Sequence, residues 1–264
     1  HQQPVTGGTE ILRRLLGDRA GRLKAVAGRL HHRHRLGHGP EAALERDLHV
    51  GGLSPLGHAR DGKHLEPRVA IALRGGNRVG MRGGVTDAGP GTSTYIDYDI
   101  EIADHSIDWL RSRAAGPDEL PWMLFCSFVC PHPPFIAPPD LFELYPAEDI
   151  PLPVQNHPDE QPRHPALETL RRTMNYDGPF SDDQIRKVTA AYYGTCTHLD
   201  RQVGRVLDVL EQTGLAESTR VIYTSDHGES MGRRGLWGKF TLYEESAAVP
   251  LILAGPDVPV GQST

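Results

Sequence analysis

Nowhere does the chain hold a run of 18 apolar residues, so nothing in it reads as a membrane span. It also lacks an apolar stretch close to His1 that would serve as a secretory h-region. Cysteine is scarce: Cys126, Cys130 and Cys196 are the only three in 264 residues. An odd and small number excludes a disulfide scaffold and points to a reducing, cytoplasmic compartment. Glycine and proline together make up about 19% of the chain, below the ~25–30% at which a non-periodic sequence reads as low-complexity. A globular body of one large or two small domains is expected. The first residue is His rather than Met, which leaves truncation or processing open.

The most telling absence is local. Residues 1–94 contain no Phe, Tyr or Trp, and all 17 aromatics of the chain begin at Tyr95. The same segment carries 15 Lys and Arg against 8 Asp and Glu, while residues 95–264 carry 13 against 26. A basic half beside an acidic one can mark a nucleic-acid arm. This one lacks the stacking aromatics and the known binding motifs, so no nucleic-acid partner is expected. Its Gly, Arg, His and Ala bias matches a weakly folded flank or GC-rich coding sequence read out of frame. Short helix-like patterns occur at Glu10 to Leu16 and Pro40 to Leu48. The expected division is a poorly defined basic flank over 1–94 and an α/β core over 95–264, incomplete at both ends.

Downstream of Tyr95 the periodicity sharpens. Ile100, Ala103, Ile107 and Leu110 recur at three and four residues and predict a helix that stops before Gly116-Pro117. Trp122 to Val129 is a nearly continuous apolar run between Pro121 and Pro131, which predicts a central strand covered on both faces. The proline-rich stretch from Pro131 to Pro165 must be irregular, apart from a helical turn at Asp140 to Leu144. Ser181 and Gln184 form a capping box ahead of Ile185, Val188, Tyr192, Leu199, Val203, Val206 and Leu210, and Gly214 stops that helix. Thr219 to Ser225 and Val249 to Ala254 predict strands. A long helix between hydrophobic strands predicts an α/β fold, a central mostly parallel sheet flanked by helices, here as a partial domain. Residues 119–129 and 219–225 should be neighbouring parallel strands, with the 181–213 helix on one face.

Reactive groups of such sheets gather beyond the carboxyl ends of the strands. Cys130-Pro-His132-Pro-Pro-Phe135 leaves the first strand and Asp226-His227-Gly228-Glu229 leaves the second. Asp226 and His227 offer a hard oxygen and a borderline nitrogen to one divalent cation, although an Asp-His-Gly turn is more often a strand cap. His132 alone would more often be a satisfied loop histidine. Lys239, in Gly235-Leu-Trp-Gly-Lys239, does not belong to a nucleotide-binding loop: Arg233 stands where that motif needs its first glycine, and Phe240 where it needs Ser or Thr. It is either a solvated lysine or one reaching an anion at the metal.

Taken together these segments resemble the sulfatase branch of the alkaline phosphatase superfamily. The resemblance rests on Ser127-Phe-Val-Cys-Pro-His-Pro-Pro-Phe135, Ala191-Tyr-Tyr-Gly194 with Leu199-Asp200 and Val203-Gly-Arg205, Val221-Ile-Tyr-Thr-Ser-Asp-His-Gly-Glu229, and Gly235 to Lys239 with Glu244-Glu-Ser246 and Val249-Pro250. It covers residues 95–264. The resemblance implies that Asp226 and His227 are metal ligands, to Ca²⁺ or alternatively Mn²⁺, and that His132 and Lys239 hold oxygens of a sulfate or phosphate ester. Gly28-Arg-Leu-His31 falls where the family has Gly-Lys-x-His, which makes His31 a further catalytic candidate. The family's amino-terminal Asp-Asp pair and its Cys/Ser-x-Pro-Ser-Arg motif, source of the formylglycine nucleophile, are absent from the sequence. The implied function is metal-assisted hydrolysis of sulfate esters, impaired in this chain. A phosphonate monoester or phosphodiester hydrolase and a non-catalytic metal- or anion-binding fragment are the alternatives.

Overall fold

The computed structural model describes residues 82–116 and 121–263. The first elements are a helical turn α1, Gly83–Thr86, and a two-residue strand β1, Gly89–Pro90. Helix α2, Thr94–Ala114, follows, capped by Ser93, whose hydroxyl accepts the Ile96 N–H. After the 121–135 run come β2, Ile136–Ala137, and α3, Pro139–Phe142, the helical turn predicted there. Helix α4 spans Pro165–Thr173. Helix α5, Asp182–Gln212, begins with the predicted reciprocal bonds of Ser181 and Gln184 and ends two residues before Gly214, which takes the left-handed conformation its missing Cβ permits. The chain closes with β3, Val221–Thr224, the turn α6, Glu244–Ala247, and β4, Leu251–Ala254.

Helix α5 organises the domain. Ile185, Val188 and Ala191 on its first half are buried to 1% exposure or less and pack with Val85, Ala88, Phe135, Leu236 and Trp237. Burying one side chain of Ile or Val size stabilises by about 1.5–3 kcal/mol. Residues 85 and 88 belong to this core, so ordered packing begins upstream of the first aromatic. Gly194 of α5 meets β2 closely: a Cβ there would stand 2.7 Å from that of Ala137. The second half of α5 places Val209 and Leu210 against Ile107 and Leu110 of α2, with Trp109, Trp122 and Leu124 closing the cluster.

The strand layer departs from expectation. β1 and β2 pair in parallel, whereas β3 pairs with β4 antiparallel, from Val221 opposite Ala254 to Thr224 opposite Leu251. Residues 122–129 form no ladder with any described residue and therefore do not neighbour β3 as a paired strand. Their exposure alternates with period two, as in an extended segment with one face covered. Trp122 and Leu124 turn to the helices, while Met123 and Phe125 are 63% and 61% exposed. The reason is that no described residue packs on their second face: both 121–135 and 219–229 line a cavity of about 2800 Å³, and each run leaves alternate side chains open.

Candidate functional site

β3 delivers the chain into Ser225-Asp226-His227-Gly228 at its carboxyl end. Gly228 is required there: its N–H donates to the Ser246 carbonyl at 2.9 Å, and a Cβ would lie 2.2 Å from the Glu245 carbonyl oxygen. The Asp226 side chain is 82% exposed, and its Oδ1 accepts the His227 backbone N–H at 3.0 Å. His227 Nδ1 lies 2.9 Å from the Gly228 carbonyl. A carbonyl only accepts, so Nδ1 carries a proton, which leaves Nε2 to face Asp226. That Nε2 stands 3.3 Å from Asp226 Oδ2.

His132 follows the extended 121–129 run. Its ring meets Tyr95 edge-on at 5.6 Å, and its Nδ1 donates to the Pro133 carbonyl at 2.7 Å, leaving Nε2 for other partners. Lys239 is held from behind. Glu229, largely buried, accepts the Gly238 N–H at 2.6 Å and the Met231 N–H at 3.3 Å. Burial raises its carboxyl above the ordinary value, opposed by those amides and by Lys239. Ser230 donates to the Gly238 carbonyl at 2.7 Å and shares a bond with Ser246 at 3.1 Å, which meets Thr241 at the same distance. Arg233 and Arg234 both pair with Glu245. The 226–246 segment is thus one hydrogen-bonded unit. Sequence reading quoted Glu229 and Ser246 without giving them this role, because a supporting bond between loops leaves no spacing signal.

Asp226, His227, His132 and Lys239 all line this cavity. His31, and the helix-like patterns before residue 82, lie outside the described residues. Burial raises the thiols of Cys126, Cys130 and Cys196, with Cys196 pushed up to about 12. None is therefore an activated nucleophile, in keeping with the missing motif. The three are free thiols. No described helix is long and apolar enough to cross a membrane.

Comparison with known proteins identifies the class. The sulfatase family model matches residues 80–263. The chain is 34% identical to the choline-sulfatase of Rhizobium meliloti (strain 1021), over 68% of this chain and 36% of that protein. It is 35% identical to the multifunctional alkaline phosphatase superfamily protein PehA of Trinickia caryophylli, over 61% of this chain and 33% of the relative. Among solved structures, the phosphonate monoester hydrolase of Agrobacterium radiobacter matches with a TM-score of 0.53 and 28% identity, covering 69% of this chain and 37% of that one. The architecture is an alkaline phosphatase-like α/β domain, in part. The chain belongs to the sulfatase family. It spans about a third of the length of these relatives.

Proposed function

We propose that this chain carries the metal- and anion-binding part of a sulfate-ester hydrolase. The observation behind this reading is the approach of Asp226 Oδ2 to His227 Nε2 at 3.3 Å, with Nδ1 protonated toward a carbonyl. A carboxylate oxygen and an imidazole nitrogen at this separation can both reach one cation, and the carbonyl behind the imidazole is the usual outer partner of a metal-bound histidine. The donor set therefore fits a divalent ion. Asp226 and His227 would hold it, Ca²⁺ by the hardness of the carboxylate or Mn²⁺ by tolerance of the imidazole. The bound ion supplies positive charge to the oxygens of an ester and polarises them.

The chain's own residues then divide the remaining work. Lys239, fixed through Gly238 by Glu229, donates N–H bonds to an equatorial oxygen. His132, with Nδ1 engaged, presents Nε2 to the ester and in its protonated form donates to an oxygen or the leaving alcohol. Neither group attacks, and turnover by this chain is expected to be negligible without the nucleophile motif. The substrate is a small sulfate ester and the compartment cytoplasmic, the second resting on the three free thiols. A phosphonate monoester hydrolase is the second reading, favoured by the Asp-His pair and the likeness to the Agrobacterium enzyme.

Calorimetric titration with sulfate and with phenylphosphonate, in Ca²⁺ or Mn²⁺, tests the anion site. Charge-assisted bonds contribute about 1.5–3 kcal/mol each, so Lys239→Ala and His132→Ala should each weaken the preferred anion by about tenfold or more. Affinities equal to wild type in both variants would defeat the reading, and preference for the phosphonate would select the second one.

A further inference from the structure

Behind the loop that carries His132, three side chains of different elements meet. Asp99 of α2, Cys130 and His198 of α5 are all buried, at 0%, 5% and 4% exposure. A carboxylate oxygen, the thiol sulfur and an imidazole nitrogen lie within 4.8 Å of one another. The Asp99 oxygens accept the Val129 and Cys130 N–H groups at 2.7 and 3.0 Å, and the Cys130 thiol donates to the same carboxylate. No Lys, Arg or His among the described residues forms an ion pair with Asp99. Three neutral donors solvate this carboxylate but leave its charge without a cation, and buried carboxylates are commonly paired with a cation or bound to a metal. His198 adds a second anomaly: its Nε2 is buried with no hydrogen-bond partner, while the Ile96 backbone engages the ring. A backbone bond on one side of an imidazole and an open nitrogen on the other is the arrangement of a metal-bound histidine.

We propose that Asp99, Cys130 and His198 form a second, structural metal site, separate from Asp226 and His227, that takes Zn²⁺ or a similar borderline ion. One sulfur, one nitrogen and one oxygen suit zinc and not calcium or magnesium, which take oxygen ligands. Zinc bonds of about 2.0–2.3 Å put neighbouring ligands about 3.3–3.8 Å apart, so ligand atoms already within 4.8 Å of one another need close by no more than about 1.5 Å on loading, and a water supplies the fourth position. The Cys130 proton leaves to solvent as the thiolate binds. The ion would tie α2 to α5 through the residue two before His132 and fix the entry of that loop into the cavity.

Cobalt(II) is the probe, because a thiolate ligand gives it a near-ultraviolet charge-transfer band that oxygen and nitrogen ligands do not. The reduced full-length chain, its fold checked by far-ultraviolet circular dichroism, should develop the band to one equivalent of Co²⁺ and lose it to excess Zn²⁺. Cys130→Ser should abolish the band and His198→Gln weaken cobalt binding more than tenfold. Cys126→Ser should leave both unchanged. A folded wild-type chain without the band overturns the proposal, as does a band that survives Cys130→Ser. Should Cys130→Ser fail to fold, unchanged cobalt affinity in His198→Gln overturns it.

Discussion

The helical layer and the strand layer of this domain handle apolar surface in opposite ways. Along α5 the apolar stripe is buried at its start, Ile185 at 1% exposure with Val188 and Ala191, and at its end, Leu210 at 7%, and is half-buried between them at Leu199, Val203 and Val206, which line the cavity. Along the extended run and the strands, every second apolar residue opens outward: Met123, Phe125, Ile222 at 64%, Leu251 at 66% and Leu253 at 45%. A helix meets its own backbone hydrogen bonds and needs only one covered stripe. A strand needs partners at its edges as well as a covered face. The candidate site residues sit where the second layer meets the cavity, and their geometry is held by loop-to-loop bonds more than by sheet.

This contrast predicts an order of sensitivity. The largest effect falls on the helical layer: Ile185→Ala should cost about 2–5 kcal/mol of stability. Phe125→Ser, on the open face, should stay within about 0.5 kcal/mol. Urea denaturation of both variants measures the difference, and equal losses would erase the distinction between layers. Next comes Gly228→Ala, whose Cβ meets the Glu245 carbonyl at 2.2 Å. Forcing it in should cost about 1–3 kcal/mol and weaken metal binding, although no ligand changes; wild-type affinity in this variant would show that the 226–246 unit does not set the site.

The smallest effect is a pH dependence carried by Glu229. Burial raises its native carboxyl above the ordinary 4.5. Between the unfolded and native values the folded chain binds more protons, so stability is fully present below about pH 4.5 and declines as pH rises through the native value. Glu229→Gln should remove that decline, seen as a flatter profile of melting temperature against pH. An unchanged profile would assign the titration elsewhere.

Much of the helical layer was legible in the sequence. The Ser181 and Gln184 capping box, the stripe through Ile185 to Leu210 and the stop at Gly214 are local, and the structure has them where the pattern put them. The α2 face and the stretches that became β3 and β4 were legible for the same reason. Strand pairing was not. Trp122 to Val129 reads as a doubly covered strand because apolar residues stand on both its faces, but coverage depends on what lies opposite, and there lies the cavity. Asp226, His227, His132 and Lys239 were singled out from strand ends and the family resemblance, and all four line that cavity. Glu229 as the clamp on Gly238, and Asp99 as the clamp on Val129 and Cys130, escaped because each bonds to backbone far from itself, where no side-chain pattern records the partner.

The central claim is that Asp226 and His227 present a divalent-metal half-site in the cavity. Calorimetric titration of the wild-type chain and Asp226→Ala with Ca²⁺ and Mn²⁺ tests it most directly. With two protein ligands from the described residues, the wild type should bind one ion weakly, and Asp226→Ala should reduce that affinity at least tenfold while keeping the fold. Binding by the wild type that Asp226→Ala leaves unchanged would contradict the account.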